Sequence, residues 1–133
     1  VKDLTLKGEH DKNILNKVNL HIKKGDDSMY FPVSALLIEY LILTIVETQD
    51  SYGYEISQTI KLVADIKEST LYPILKKLEK AGFLTTYSQE FQGRKRKYYS
   101  ITESGKEQIE YLNGEWAVYR DTIDGIVEGR IRR

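Results

Sequence analysis

The chain has no cysteine among its 133 residues. That excludes a disulfide scaffold and any cysteine-based zinc site, and it suits a reducing compartment. Histidine is nearly absent too: His10 and His21 both fall within the first 28 residues. No nucleophile–base pair or metal-ligand spacing appears, and the carboxylates are spread along polar helix positions. Enzymatic chemistry, a metal and a cofactor are therefore not expected. Long hydrophobic runs are missing. The longest, Val33 to Val46, is about 14 residues and includes Ser34, Glu39 and Thr44, against about 20 for a membrane span. No apolar leader opens the chain, so no signal peptide is expected. An excess of charge is missing as well: 20 Lys and Arg balance 20 Asp and Glu, for a net charge of +0. The total charge therefore points to no nucleic-acid partner; only its distribution could.

What is present is an apolar fraction of 41%, enough for one small core. Cores of this size often gain stability by oligomerising. The sequence divides into residues 1–28, a polar arm of unassigned role; 29–101, a compact domain; and 102–133, a long helix and tail. Residues 14–25 faintly resemble the opening strands of ABC-transporter ATPases. No phosphate-binding loop G-x-x-x-x-G-K-[ST] follows, so the arm offers no nucleotide site of that kind.

From Pro32 the pattern becomes helical. Pro32 fits a first helical position, and Val33 to Val46 is apolar nearly all round, which calls for burial on more than one side and implies a second subunit. Ser51-Tyr52-Gly53-Tyr54 marks a break. A second helix follows, with Ile56, Ile60 and Val63 on one face, and residues 64–68 form a turn. A third helix opens at Ser69, a plausible N-cap, with Pro73 bounding its start. Leu71, Ile74, Leu75 and Leu78 make its apolar stripe, and Gly82 stops it. The opposite face carries Ser69, Thr70, Tyr72, Pro73, Lys76 and Lys80.

Next come Phe83 to Ser88 and Tyr98 to Ile101, two strand-like runs rich in aromatic and β-branched residues. Gly93 permits the turn between them, and Arg94, Lys95, Arg96 and Lys97 follow it directly. Edge strands carry lysines to prevent pairing, but four consecutive cations exceed that need and repel one another. Phosphates would relieve the repulsion. Charge is concentrated here: Lys67 to Lys106 holds nine Lys or Arg (67, 76, 77, 80, 94–97, 106) against four Glu (68, 79, 90, 103). The order helix, helix, turn, helix, strand, strand is that of a winged helix-turn-helix. The expected fold class is mainly α with a small β-hairpin wing, followed by a C-terminal dimerisation helix.

On that reading Ser69, Thr70 and Tyr72 meet base edges and phosphates in the major groove, while Lys76 and Lys80 anchor the backbone. The competing reading of the same face is an ordinary solvated one. The last helix is capped by Thr102. Its apolar residues Ile109, Leu112, Trp116, Tyr119, Ile123 and Ile126 are spaced 3, 4, 3, 4, 3, a heptad seam. That seam packs either on a second copy or on its own domain. Gly114, Gly125 and Gly129 weaken the helix, with fraying expected after about residue 126.

Tyr52-Gly53-Tyr54-Glu55-Ile56, Thr70 to Gly82 and Arg96 to Gly105 together resemble PadR-family transcriptional regulators, over about Met29 to Arg133. The single helix after the wing is similar to the compact subfamily. Tyr52 departs from the family, where many members have His. The resemblance implies a cytoplasmic, prokaryotic, homodimeric repressor of promoter DNA, bound at a pseudo-palindromic operator. It implies dimerisation through the first and last helices, here Leu37 and Leu41 with the 109–126 seam. It also implies release by an aromatic small-molecule effector. In some compact members an aromatic residue on the last helix lines a pore at the interface; Trp116 holds that place here, and reads equally well as a core anchor. Two other functions fit the residues: a winged helix used for protein–protein contact, and a small-molecule carrier without DNA regulation.

Overall fold

A computed structural model describes residues 31–132; the arm of residues 1–28 and Met29 lie outside the described residues. The elements run α1 (Ala35–Thr48), β1 (Ser51–Tyr52), α2 (Gly53–Ile60), α3 (Glu68–Lys80), β2 (Leu84–Phe91), β3 (Arg94–Ile101) and α4 (Glu103–Val127). The three strands form an antiparallel sheet in the order β1-β3-β2. No helix among the described residues is long and apolar enough to cross a membrane.

Local chemistry sets most of the boundaries. Ser34 caps α1, its Oγ accepting the Leu37 N–H at 3.2 Å. The first helical position is thus Ala35, and Pro32 stands two residues ahead of the cap, not at the position expected for it. The side-chain cap satisfies a free N–H that proline merely lacks. At the other end of the chain Thr102 caps α4 as expected, accepting from Gly105 N at 2.9 Å while donating to Gly82 O at 2.7 Å. One hydroxyl thereby starts α4 and ties it to the end of α3. Helix α4 ends at Val127, close to the expected point. Gly129 there takes φ 76°, and the Arg130 N–H reaches back to Gly125 O at 2.8 Å, the αL closure that glycine makes easy.

Three further boundaries differ from the sequence reading. Helix α3 starts two residues early: Lys67, not Ser69, is its N-cap, without a side-chain bond. The Lys67 carbonyl already accepts from Thr70 N at 2.9 Å and Leu71 N at 3.0 Å, so Ser69 lies inside the first turn. Pro73 is consequently the sixth helical residue, past the first turn, and leaves the Ser69 carbonyl without its usual i+4 donor. The cost is borne because Leu71, Leu75 and Leu78 are almost wholly buried. Helix α2 ends at Ile60, so Val63 leaves the expected buried face and is 47% exposed; Ala64 and Ile66 fill the core instead. The hairpin strands are also longer than expected, because Gln92 and Gly93, at φ 51° and 78°, form a two-residue turn that continues the twist of both strands.

The core gathers Ile42, Leu43 and Val46 of α1, Ile56 and Ile60 of α2, the three leucines of α3, Leu84 and Tyr99 of the sheet, and Ile109 and Leu112 of α4. Helix α1 is central, packing against α2, α3, α4 and β3. That explains its nearly all-round apolarity. Leu36 is the exception, more than half exposed.

Candidate nucleic-acid interface

Helix α3 presents Ser69, Thr70, Tyr72, Pro73, Lys76 and Lys80 to solvent. The helix's remaining lysine makes an ion pair with α1: Lys77, itself exposed, places Nζ 2.8 Å from Glu39 Oε2, and the Glu39 side chain is only 12% exposed. This pair fixes α3 against α1. Glu79, in the last turn, accepts from Thr86 Oγ1 at 3.2 Å and faces Lys97 Nζ at 3.4 Å. Helix and wing are thus joined by a polar clasp at the end of α3.

The wing does not hold its four cations as one cluster. All four lie in β3, and successive strand residues point to opposite faces. The register pairs Phe91 with Arg94, Gln89 with Arg96, and Tyr98 with both Tyr87 and Tyr52, so Arg94, Arg96, Phe91 and the three tyrosines share the outer face. Lys95 and Lys97 share the other face with Thr86 and buried Tyr99, on the side of Glu79 and α3. On the outer face the Arg96 guanidinium lies 4.4 Å from the ring centres of both Tyr52 and Phe91. Tyr87 stacks on Tyr98 at 5.6 Å, and Tyr52 meets Tyr98 edge-on at 5.5 Å.

Two tyrosines in the sheet have perturbed acidity. The Tyr87 hydroxyl donates to Asp50 Oδ2 at 2.8 Å. That bond, with lesser help from desolvation and the Asp50 charge, holds its pKa above the ordinary value. Burial raises Tyr99, against the pull of the Lys97 charge.

The residues expected at a subunit interface divide. Ile109 and Leu112 are each 3% exposed, buried in the core of the chain itself. Leu37, Leu41 and Trp116 are half-buried, and Tyr119, Ile123 and Ile126 are exposed. Leu36, Leu37 and Tyr40 of α1 face Leu112, Trp116 and Tyr119 of α4 across an open groove of about 410 Å³. The Tyr40 hydroxyl crosses between the helices to Asn113 Oδ1 at 2.6 Å. The sequence reading missed Asp50, Tyr52, Glu79 and Phe91 as partners of the wing. Extending the hairpin register outward from Gln92-Gly93 would have found Phe91 and Tyr87; nothing local marks β1, only two residues long.

An exposed helix face beside a basic hairpin, on three helices and a small sheet, defines a winged helix-turn-helix, the class of DNA-binding regulators. A family described as the transcriptional regulator PadR-like family matches residues 42–111. The chain belongs to that family, whose members are transcription regulators and not enzymes. It is 40% identical over 97 residues to an uncharacterized protein of Lysinibacillus sphaericus, covering 69% of this chain and 89% of that one. It is 31% identical over 98 residues to the negative transcriptional regulator PadR of Bacillus subtilis, covering 69% of this chain but 51% of that protein, so the chain spans about half of that relative's length. Among solved structures, one from Streptococcus mutans is 74% identical with a TM-score of 0.76, covering 79% of this chain and 99% of that one. A PadR family transcription regulator from Clostridium difficile is 32% identical with a TM-score of 0.62, covering 68% and 97%.

Proposed function

We propose that two copies of this chain bind a pseudo-palindromic promoter operator and repress transcription by occupying it. The two α3 helices enter successive major grooves about 34 Å apart. Ser69, Thr70 and Tyr72 meet base edges and adjacent phosphates there, with Lys76 and Lys80 on the backbone. The wings hold flanking phosphates or minor groove through Lys95 and Lys97, with Arg94 and Arg96 adding their charge from the outer face. The observation that carries this reading is the clasp at Glu79, which holds the wing and the exposed α3 face as one surface.

Dimerisation is supported by the apolar surface of α4 beyond Leu112. Val118, Tyr119, Ile123, Ile126 and Val127 are all exposed on one helix, an extent that ordinarily marks an interface. Leu36, Leu37 and Leu41 of α1 extend it. The groove at Trp116 suits a flat aromatic effector. Such a ligand weakens DNA binding only by favouring an arrangement of the two heads that fits DNA less well.

The test is fluorescence anisotropy on promoter fragments enriched from genomic DNA. The wild-type chain should bind one fragment as a dimer, with affinity falling steeply as salt rises. Replacing Arg94, Arg96 and Lys97 together by Ala should weaken binding and flatten the salt dependence; unchanged affinity at moderate salt would sink the wing's role.

A further inference from the structure

Gly53 is the first residue of α2 and is buried. Its backbone does not require glycine, since the positive-φ glycines are Gly82, Gly93 and Gly129 among the described residues. What requires glycine is space. A Cβ at position 53 would lie 2.7 Å from Tyr72 Cε1, 2.8 Å from its hydroxyl oxygen and 3.0 Å from Cζ. All three are atoms at the far end of one side chain. Tyr72 therefore lies across the start of α2, its outer ring edge seated on the bare backbone of Gly53. The same ring remains 46% exposed.

We infer that Gly53 is a positioning residue for DNA reading: the missing side chain forms the seat that fixes where Tyr72 points. The inference rests on the proposal that Tyr72 contacts the operator. Tyr72 is the fifth residue of α3, in the N-terminal half from which recognition helices reach base edges. A tyrosine ring turns about only two side-chain torsions, so one close contact near its tip defines its direction. A methyl at 53 cannot share the space, because real Cβ contacts essentially never fall below 3.0 Å. The clash is relieved by swinging a half-exposed ring outward, which moves no backbone and opens no cavity in the core. Gly53→Ala should therefore leave folding intact and disturb recognition.

The geometry is checked first without DNA. Proton NMR of the wild-type chain should show contacts between the Tyr72 ring protons and the Gly53 α-protons, which vanish in Tyr72→Ala. Their absence in the wild type would overturn the inference. Binding is then measured on an operator selected from random DNA by the wild-type protein, with Gly53→Ala, Tyr72→Ala and the double variant compared. Thermal unfolding is followed alongside. The expected result is an operator affinity about tenfold lower in Gly53→Ala, the size of one lost base-reading contact, with unchanged binding to random DNA and an unchanged unfolding midpoint. In the Tyr72→Ala background the Gly53 substitution should have no further effect, since its target is gone. An equal loss in both backgrounds means that Gly53 acts elsewhere and overturns the inference while leaving Tyr72 as a reader. No loss from Tyr72→Ala itself overturns the reading on which the inference stands.

Discussion

Arg96 separates two roles that a run of cations confuses. Its guanidinium sits 4.4 Å from the centres of two rings, Phe91 near the tip of the wing and Tyr52 in β1. One such contact contributes about 0.5–1 kcal/mol when exposed. Two rings set a ceiling of about 2 kcal/mol, and the half-exposed geometry here makes about 1 kcal/mol the working figure. The residues it joins are at the tip and the far edge of the sheet, so its loss loosens the wing locally rather than unfolding the domain. Arg96→Lys keeps the charge but loses the flat guanidinium that stacks. Amide hydrogen exchange near the Phe91–Arg94 rung should rise about fivefold, the population change that 1 kcal/mol represents. Arg96→Gln should loosen it equally. Neither should alter the salt dependence of DNA binding by a full contact, whereas Lys95→Ala should lower its slope by about 0.9. The reasoning is refuted if Arg96→Lys exchanges like the wild type while Arg96→Gln loses about 0.9 of slope, because Arg96 would then be a phosphate contact and not a brace.

The other expectations are simpler. Thr102→Ala removes the α4 cap and the bond to Gly82 O, and should lower stability by about 1 kcal/mol in chemical denaturation; Thr102→Ser should restore it. Leu71→Ala, at a wholly buried position, should cost about 2–5 kcal/mol by the same assay; a loss under 1 would mean that the core collapses around the gap. If the proposed dimer forms through α4, Tyr119→Lys with Ile123→Lys should reduce it to a monomer by light scattering, without changing the helical circular-dichroism signal. Alkaline pH should destabilise the fold. The folded Tyr87 pKa lies above its ordinary 10.0 because its proton is held by Asp50, so its contribution is complete below 10.0 and is lost as pH rises through the higher folded value. Tyr87→Phe should remove that part of the alkaline loss.

The winged-helix order could be read from sequence because each element carries its own local mark. The Leu71–Leu78 stripe, Gly82 and Thr102 act within a turn or two, and each stands where it was placed. The errors arose where a residue's role depends on something distant. Ser69 is a good cap by composition, yet the first turn closes on the Lys67 carbonyl. Val63 fits the period of α2, but the chain turns at Ile60 and gives its core places to Ala64 and Ile66. The heptad seam of α4 is one pattern in sequence and two surfaces in space. Ile109 and Leu112 pack into the chain's own core, and the residues from Tyr119 onward emerge past the end of that support.

The wing shows why a charge run is a poor guide to a binding surface. Four adjacent cations look like one patch, but a strand sends alternate side chains to opposite faces. Lys95 and Lys97 go to the side of α3, where Glu79 already answers Lys97. Arg94 and Arg96 go to the outer face, where aromatic rings hold Arg96. A phosphate approaching from the α3 side therefore meets Lys95 first, and must compete with Glu79 for Lys97. Exposed ion pairs of this kind contribute little to stability, so the clasp can yield to a phosphate at small cost. On the proposed mode of binding, the pair at Glu79 would give up Lys97 to a phosphate, while the Thr86–Glu79 hydrogen bond would still join wing and α3. Glu79→Gln should accordingly strengthen non-specific DNA binding, since Lys97 would no longer be shared.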